Sequence, residues 1–504
     1  MKNDFASSEV RPSRAPTAIL GVPFDPVTQS QALARIEQMI ASRQPHYLAT
    51  ANVDFVVQAQ SDRELRRILS DAHLVLCDGT PLVWASRWLG NPLPERVAGA
   101  DLVPALIQVA AAKNYKIFLL GATPEAASQA VEKLKVQYPN LQISSYSPPF
   151  KPLLQMDHAE ISRRVREAKP DLLLVSFGCP KQEKWIAMHY RELGVPVAIG
   201  VGATIDFLAG AMKRAPLWMQ RTGTEWMFRL AQEPRRLFKR YAMDLGVFGF
   251  KFLWQLWRFQ SRGGKPGGEK SCAATLRTNG WQHLGLPERF DRAAVENSAP
   301  LFERVLDDDT RHCLLEMRDV RFLDSTGAAC LMRLRREFSA RGRQMILLSP
   351  GKAVRAALKF MRVQDFFLIA DDIHAAHRLN HAWIKERAQP VLTTNPLLWQ
   401  GEITVANAEQ VWQATERRLA ARAHDELTID LSRVRHLDSS GAELMARLRT
   451  VAGQLNSRFS FVNASPAVRN VLRHARLETL LVIPPPLKPI PATARTQLAL
   501  SQPT

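Results

Sequence analysis

Cysteine is scarce in this chain and forms no pattern that could build a site. Five occur in 504 residues (Cys77, Cys179, Cys272, Cys313, Cys330), an odd number with no CxxC pair and no histidine at metal spacing. That excludes a disulfide framework and a zinc site and leaves reduced, buried thiols. No apolar run reaches the roughly 20 residues that cross a bilayer. The most apolar stretch, Met243 to Phe259, is shorter and is interrupted by Asp244, Lys251 and Arg258. The opening segment, Met1 to Pro16, has no apolar run behind a basic start, so no secretory leader is expected and a cytosolic location is. Acidic residues are also in short supply: 48 Asp and Glu stand against 67 Lys and Arg, a formal charge of +19. Such an excess points to an anionic partner, either nucleic acid, an acidic membrane surface or a phosphorylated substrate. A single compact domain is excluded by length, because domains of about 100–200 residues predict roughly three here.

Composition divides the chain. Residues 17–210 alternate short apolar runs with amphipathic ones, 211–259 are basic and aromatic, and 260–280 are rich in Gly, Lys, Ser and Pro, a linker composition. Two modules are expected over 281–383 and 391–484, with a Pro-rich tail over 485–504. The modules repeat each other at an offset of 114: Val320-Arg-Phe-Leu-Asp-Ser-Thr-Gly-Ala328 matches Val434-Arg-His-Leu-Asp-Ser-Ser-Gly-Ala442, and Arg333-Leu-Arg335 falls on Arg447-Leu-Arg449. A period this long, seen twice, denotes a duplicated domain rather than a solenoid. The linker leaves the placement of these modules open.

In the first region, Lys116 to Leu120, Asp171 to Val175 and Val197 to Val201 read as buried strands, and Glu125 to Tyr138 has helical periodicity. The alternation predicts an α/β, Rossmann-like domain with a largely parallel sheet, whose ligands bind beyond the carboxyl ends of the strands. Polar residues at those ends are therefore the candidates. Asp78 directly follows the apolar run Leu74 to Cys77 and precedes a glycine; it can cap a turn or, partly desolvated, act as a general base. Gly121-Ala122-Thr123-Pro124 can start a helix with Thr123 as its cap and Pro124 in the first turn, and its N–H groups would also suit a phosphate. Asn52-Val-Asp54, Glu95-Arg-Val-Ala-Gly-Ala-Asp101 and Pro180-Lys-Gln-Glu183 are each ordinary loop or cap sequences.

Taken together and in order, Asn52-Val-Asp54, Asp78-Gly-Thr-Pro81, Arg96-Val-Ala-Gly-Ala-Asp101, Gly121-Ala-Thr-Pro-Glu125, Gly178-Cys-Pro-Lys-Gln-Glu183 and Gly202-Ala-Thr-Ile-Asp206 resemble the WecG/TagA/CpsF glycosyltransferases, glycosyltransferase family 26. The likeness covers about residues 17–258. It implies an inverting enzyme that moves an N-acetylmannosamine-type or related sugar from a UDP-sugar to an undecaprenyl-diphosphate-linked acceptor without a required metal or other cofactor, in exopolysaccharide or other cell-surface glycan assembly. By the same resemblance Asp78 is the general base, Asn52 orients sugar or acceptor, and Arg96 faces the diphosphate. Gly121, Ala122 and Thr123 hold nucleotide, while Lys181, Gln182 and Asp206 line the cleft. The matched region has no DxD-type metal motif, which agrees with arginines stabilising the leaving group. Self-association into a homo-oligomer is a further expectation. A second reading keeps the pocket but not the chemistry, as a nucleotide-sugar sensor. Retention of Asp78, Asn52, Arg96 and the Pro-Lys-Gln-Glu run favours catalysis.

Between Ala211 and Arg262 eleven basic residues face three acidic ones, an excess of eight, with eleven aromatic residues from Trp218 to Phe259 interleaved. Rings settle at headgroup depth while Lys and Arg meet anionic lipid, so the segment reads as a peripheral membrane helix on the inner face of the cell membrane, with a solvated or core-packing helix as the second reading. Aromatic residues bunched in an apolar run suit acyl chains better than base stacking, and a nucleic-acid partner is not expected. The resemblance implies that this appendage lends arginines to the active site, with Arg214, Arg221 and Arg229 as candidates.

Each repeated module has a strand, a Leu-Asp-Ser-Thr/Ser-Gly turn, a helix, a second strand and a second helix. Asp324 and Asp438 are placed to cap those helices. Motif and order resemble STAS domains, the fold of anti-sigma-factor antagonists. That resemblance makes Thr326 and Ser440, each directly before the glycine, candidate phosphorylation sites and the pair a docking point for a protein partner or kinase.

Overall fold

Runs without a polar position are what a parallel sheet covered on both faces demands. The computed structural model describes residues 15–262, 271–278, 280–308, 310–388, 397–405, 407–421, 427–454, 459–474 and 477–481. Its N-terminal part opens with a hairpin, β1 (Thr17–Ile19) and β2 (Val22–Phe24), and continues through α1 (Gln29–Ser42), β3 (His46–Ala51), α2 (Val53–Gln58), α3 (Arg63–Asp71), β4 (Leu74–Cys77), α4 (Thr80–Trp88) and α5 (Gly99–Lys113). Then follow β5 (Ile117–Gly121), α6 (Pro124–Gln137), β6 (Ile143–Tyr146), α7 (His158–Ala168), β7 (Leu172–Ser176), α8 (Lys181–Leu193), β8 (Val197–Gly200) and α9 (Thr204–Ala209). Six strands form one sheet in the order β4-β3-β8-β7-β5-β6, every pair parallel. The strands expected from the apolar runs are present. The carboxyl ends of β3, β4, β5, β7 and β8 deliver Asn52, Asp78, Gly121, Phe177 and Val201 to the same edge.

The basic segment is helical: α10 (Leu217–Thr222), α11 (Glu225–Gln232) and α12 (Pro234–Arg262). Its aromatic residues divide into two sets, where composition had suggested a single lipid-facing one. Leu237, Asp244, Phe248, Phe252 and Gln255 recur at helical spacing and are buried, Phe248 and Phe252 stacking at 5.5 Å. This stripe packs the helix onto the sheet domain, where Phe252 also meets Trp88. Phe250 (75%) and Trp257 (64%) stay exposed. Among the described residues no helix is long and apolar enough to cross a membrane.

The first C-terminal module comprises β9 (Ala273–Thr278), β10 (Trp281–Gly285), β11 (Arg289–Phe290), α13 (Arg292–Asp307), β12 (His312–Glu316), β13 (Phe322–Leu323), α14 (Ser325–Ala340), β14 (Met345–Leu348), α15 (Lys352–Phe360), β15 (Leu368–Ala370) and α16 (Ile373–Ala388). Its sheet order is β15-β14-β12-β10-β9. The expected linker 260–280 is therefore too long. α12 extends to Arg262, and β9 lies inside it because Ala273 to Thr278 pairs antiparallel with β10. The module is also not a freely placed appendage. Ala15 and Ala18 sit in its hydrophobic core with Phe290, Leu331 and Leu358, and residues 1–385 form one compact unit.

The second unit begins at Glu386. It contains β16 (Leu397–Ile403), α17 (Ala408–Ala421), β17 (Leu427–Leu437), α18 (Ser439–Gln454), β18 (Phe459–Val462) and α19 (Pro466–His474), with parallel strands in the order β16-β17-β18. The tail 485–504 lies outside the described residues.

The repeated turn has one physical cause in both modules. Asp324 caps α14 by accepting from Gly327 N at 2.7 Å, and Asp438 accepts from Ser440 N and Gly441 N at 2.9 and 3.1 Å. The glycine lets the helix start press on the neighbouring strand. A Cβ at Gly327 would lie 2.1 Å from the Phe290 carbonyl oxygen, whereas one at Gly441 would lie 2.4 Å from Leu437 Cδ1 and 3.0 Å from the nearest carbonyl oxygen, that of Ile403. A side-chain end can move and a backbone carbonyl cannot. Gly327→Ala is therefore expected to cost its unit about 1–3 kcal/mol and Gly441→Ala less, as read by denaturant midpoints.

Candidate active site

At two of the strand ends a polar side chain caps the helix that follows, Asn52 after β3 and Thr123 after β5. Asn52 caps α2, its Oδ1 accepting from Phe55 N at 3.2 Å. Asp78 is fixed to the sheet when its N–H donates to Ala51 O at 2.9 Å, and its Oδ2 receives Gly99 N at 3.4 Å. Burial pushes the Asp78 pKa above the ordinary 3.8, Arg96 and Arg229 pull it back, and Glu225 adds to the rise.

Around this carboxylate runs a ladder of alternating charge. Arg214 Nη2 meets Asp101 Oδ1 at 2.8 Å, Asp101 Oδ2 meets Arg96 Nη2 at 2.8 Å, Arg96 Nη1 meets Glu225 Oε2 at 2.9 Å, and Glu225 Oε1 meets Arg229 Nη2 at 3.2 Å. Arg96 and Asp101 come from the loop and helix after β4. Arg214, Glu225 and Arg229 come from the basic appendage. Only 18% of the Arg96 side chain and 11% of that of Glu225 are exposed. Burial opposes ionisation of Glu225, but the Arg96 hydrogen bond and the charges of Arg229, Arg96 and Arg214 hold its pKa below the usual value. A second tie joins Asp54, two residues after the α2 cap, to Arg240 of α12.

Sequence reasoning brought Asp78, Arg96, Arg214 and Arg229 to the site but missed Glu225 and Asp101, which orient the arginines. The available signals were Glu225 four residues before Arg229 in an otherwise basic stretch and Asp101 five residues after Arg96, in the first turn of the next helix. The Arg221 side chain lies outside the described residues.

At β5 the chain turns through Gly121 (φ +100°) and Ala122 (φ +59°). A Cβ at Gly121 would strike Ser176 O at 2.5 Å, so the neighbouring strand alone explains this glycine. Thr123 caps α6 through Ala126 N at 3.2 Å. Lys181 donates to Lys151 O at 2.6 Å and lies over the Phe150 and Phe177 rings. Asp206 is half-buried in α9 at the end of β8.

Gln182, expected to line the cleft, is buried at 2% exposure with both ends of its amide engaged inside the protein. Its Oε1 accepts from Gly178 N and Gly202 N, and its Nε2 donates to Glu183 Oε1. It staples the loops after β7 and β8. Glu183 beside it is pushed up to about 7 by burial.

Thr326 is fully buried and receives Asn91 Nδ2 at 3.1 Å. Ser440 is 5% exposed in its own unit. Among the described residues, no group of three or more His, Cys, Asp or Glu is placed to hold a metal ion.

Residues 17–262 match the family described as "Glycosyl transferase WecG/TagA/CpsF family". Residues 283–376 match "STAS domain" and residues 397–483 "Mlab, STAS domain". The chain is 32% identical over 242 residues to the N-acetylglucosaminyldiphosphoundecaprenol N-acetyl-beta-D-mannosaminyltransferase of Staphylococcus aureus strain MW2, covering 48% of this chain and 94% of that protein. The protein of the same name from strain NCTC 8325 / PS 47 matches with the same identity and coverage. Among solved structures, the anti-sigma factor antagonist SpoIIAA in its unphosphorylated form aligns with 19% identity over 21% of this chain and 92% of that one, at a TM-score of 0.17.

Asn52 combines a cap with any contact to substrate, and the two can be separated. Asn52→Ala is expected to lose about 1 kcal/mol of stability together with activity. Asn52→Asp keeps the cap acceptor and should restore stability by thermal unfolding while activity stays low, because the amide donor is gone.

Proposed function

The chain belongs to the WecG/TagA/CpsF family of glycosyltransferases and carries two STAS domains, and from that premise we propose an inverting transfer from a UDP-sugar to an undecaprenyl-diphosphate-linked sugar, with Asp78 as general base. The relatives' names supply the substrate classes: an N-acetylmannosaminyl group and an N-acetylglucosaminyl diphosphoundecaprenol. The acceptor hydroxyl oxygen attacks the anomeric carbon from the face opposite UDP. Its proton passes to Asp78, and the bond between sugar and β-phosphate breaks with its electron pair leaving on UDP. One base suffices for a single displacement of this kind.

The observation that carries this reading is the ladder beside Asp78. With Asp78 ionised, Arg96, Arg214 and Arg229 balance Asp78, Asp101 and Glu225. When Asp78 takes the proton, the site gains one positive charge as the departing UDP gains one negative charge. Stabilisation is then greatest in the transition state rather than on the bound donor. Arginines held in place by carboxylates are suited to diphosphate oxygens, so no metal or other cofactor is required. Asn52, Thr123, Lys181 and Asp206, at the same ends of the sheet, complete the donor and acceptor pocket, with the turn of Gly121 and Ala122 facing the nucleotide.

The exposed aromatic face of α12 supports work at the cytoplasmic surface of an anionic membrane, where a prenyl-linked acceptor resides. A groove of about 700 Å³ between α11 and α12, walled by Trp226, Leu230 and Phe238 with Arg235 and Lys239, has an almost wholly apolar surface that suits a prenyl chain. Asp78→Asn tests the base. With acceptor presented in anionic vesicles, UDP release is expected to fall by at least about 100-fold, while UDP-sugar binding by calorimetry stays within about threefold. Retained transfer would remove Asp78 from this role.

A further inference from the structure

The first STAS domain meets the transferase with the face that carries its own motif. Asn91, just beyond the end of α4, donates to Thr326 Oγ1 at 3.1 Å and to Ala15 O at 3.0 Å. Arg292 Nη1 donates to the adjacent Gly90 O at 3.1 Å. Farther along α14, Ser70 of α3 touches Met332 at 3.8 Å, while Arg335 pairs with Asp71 and Arg336 donates to Ala72 O. Beyond α15, buried Arg66 donates to Arg362 O at 2.9 Å, and Arg362 in turn reaches Gln60 O. Gly21, in the β1–β2 turn with φ +86°, approaches so closely that a Cβ there would sit 2.2 Å from Met361 O. The far end of α12 is gripped as well: Trp254 meets Phe360 edge-on at 4.9 Å, and Arg258 lies over the same ring at 5.4 Å.

We propose that this motif face is an intrachain interaction surface whose partner is the transferase itself, and that docking holds the distal ends of α4, which starts beside Asp78, and of α12, whose near end is tied to the Asn52 turn through Asp54. α4 starts directly after Asp78 and Gly79 and reaches Asn91 after about 13 Å of helix. α12 carries Arg240, paired with Asp54, and lies against the domain at Phe360 about 27 Å farther along. Gln255 pins the same stretch to the hairpin, accepting from Leu20 N at 2.9 Å and donating to Ala18 O at 3.1 Å. A ligand or modification that takes Thr326 must therefore displace the transferase.

The duplicated module is an internal control. At the offset of 114, Met332 and Arg336 become Ala446 and Thr450, and Arg449, the counterpart of Arg335, donates to Thr479 O within its own module at 3.3 Å. The docking set is thus particular to the first STAS domain.

The full chain carrying Arg335→Asp, Asp71→Arg, or both together tests the proposal, with Gly21→Ala as a wedge that alters no charge. Docking is read by hydrogen exchange in α3 and α14, coupling by exchange at residues 83–91 and 250–259, and function by kcat/KM with vesicle-borne acceptor. Each single variant should speed exchange in all four segments by about tenfold and lower kcat/KM, and the charge-swapped double variant should recover both. Three results would overturn the proposal: opening of α3 and α14 that leaves α4, α12 and kcat/KM unchanged, unchanged exchange in every variant including Gly21→Ala, or a swap that restores nothing.

Discussion

On the proposed mechanism the catalytic half depends on keeping Asp78 ionised although burial opposes its charge. A carboxylate moved from water into protein costs several kcal/mol unless compensated, and burial pushes Asp78 upward. Arg96 and Arg229 oppose that push. They can do so only because Glu225 and Asp101 fasten them in place, and Glu225, Arg229 and Arg214 all belong to the appendage. The pocket is complete only when the basic helices fold back on the sheet. The basic, aromatic appendage is thereby made part of a polar site.

The ladder contributes orientation more than stability. Exposed ion pairs are worth about 0–1 kcal/mol, and a half-buried chain of five charges roughly offsets its own desolvation. Its value is that the arginines do not have to be ordered during the reaction, which is how preorganised charge lowers a barrier. Asp54 with Arg240 extends the same device along α12. The first STAS domain, packed with the hairpin into the same compact unit, closes the far side. The sheet, the appendage and this domain thus meet along α4 and α12.

Much of this was legible in the sequence, and the exceptions have physical reasons. The buried strands showed themselves because β5, β7 and β8 are apolar on both faces, and the duplicated modules because a capping aspartate and a close-packed glycine recur at fixed spacing. Motif order carried the family. Glu225 did not stand out because composition counts charges without showing their partners, and in a basic segment an acid reads as dilution. Gln182 read as a ligand because its place beside the turn is local, while its two acceptor contacts, to Gly178 and Gly202, join loops distant in sequence. The strand β9 was hidden in linker composition, since an edge strand needs few apolar residues. Phe248 and Phe252 were grouped with their exposed neighbours because helical phase, not composition, separates the faces.

The most direct test of the central claim is the acid limb of the kcat/KM profile, which reports ionisation of the free enzyme. As the proposed base, Asp78 must be deprotonated to accept the acceptor's proton, so on this account activity is lost as pH falls through its pKa, a point raised by burial above that of an ordinary aspartate. Removing a cation that favours the carboxylate raises that point further. The limb of the native enzyme should therefore lie above pH 3.8, and Arg229→Gln should move it to higher pH while lowering the plateau. A limb that stays in place, or moves to lower pH, in Arg229→Gln would contradict the account.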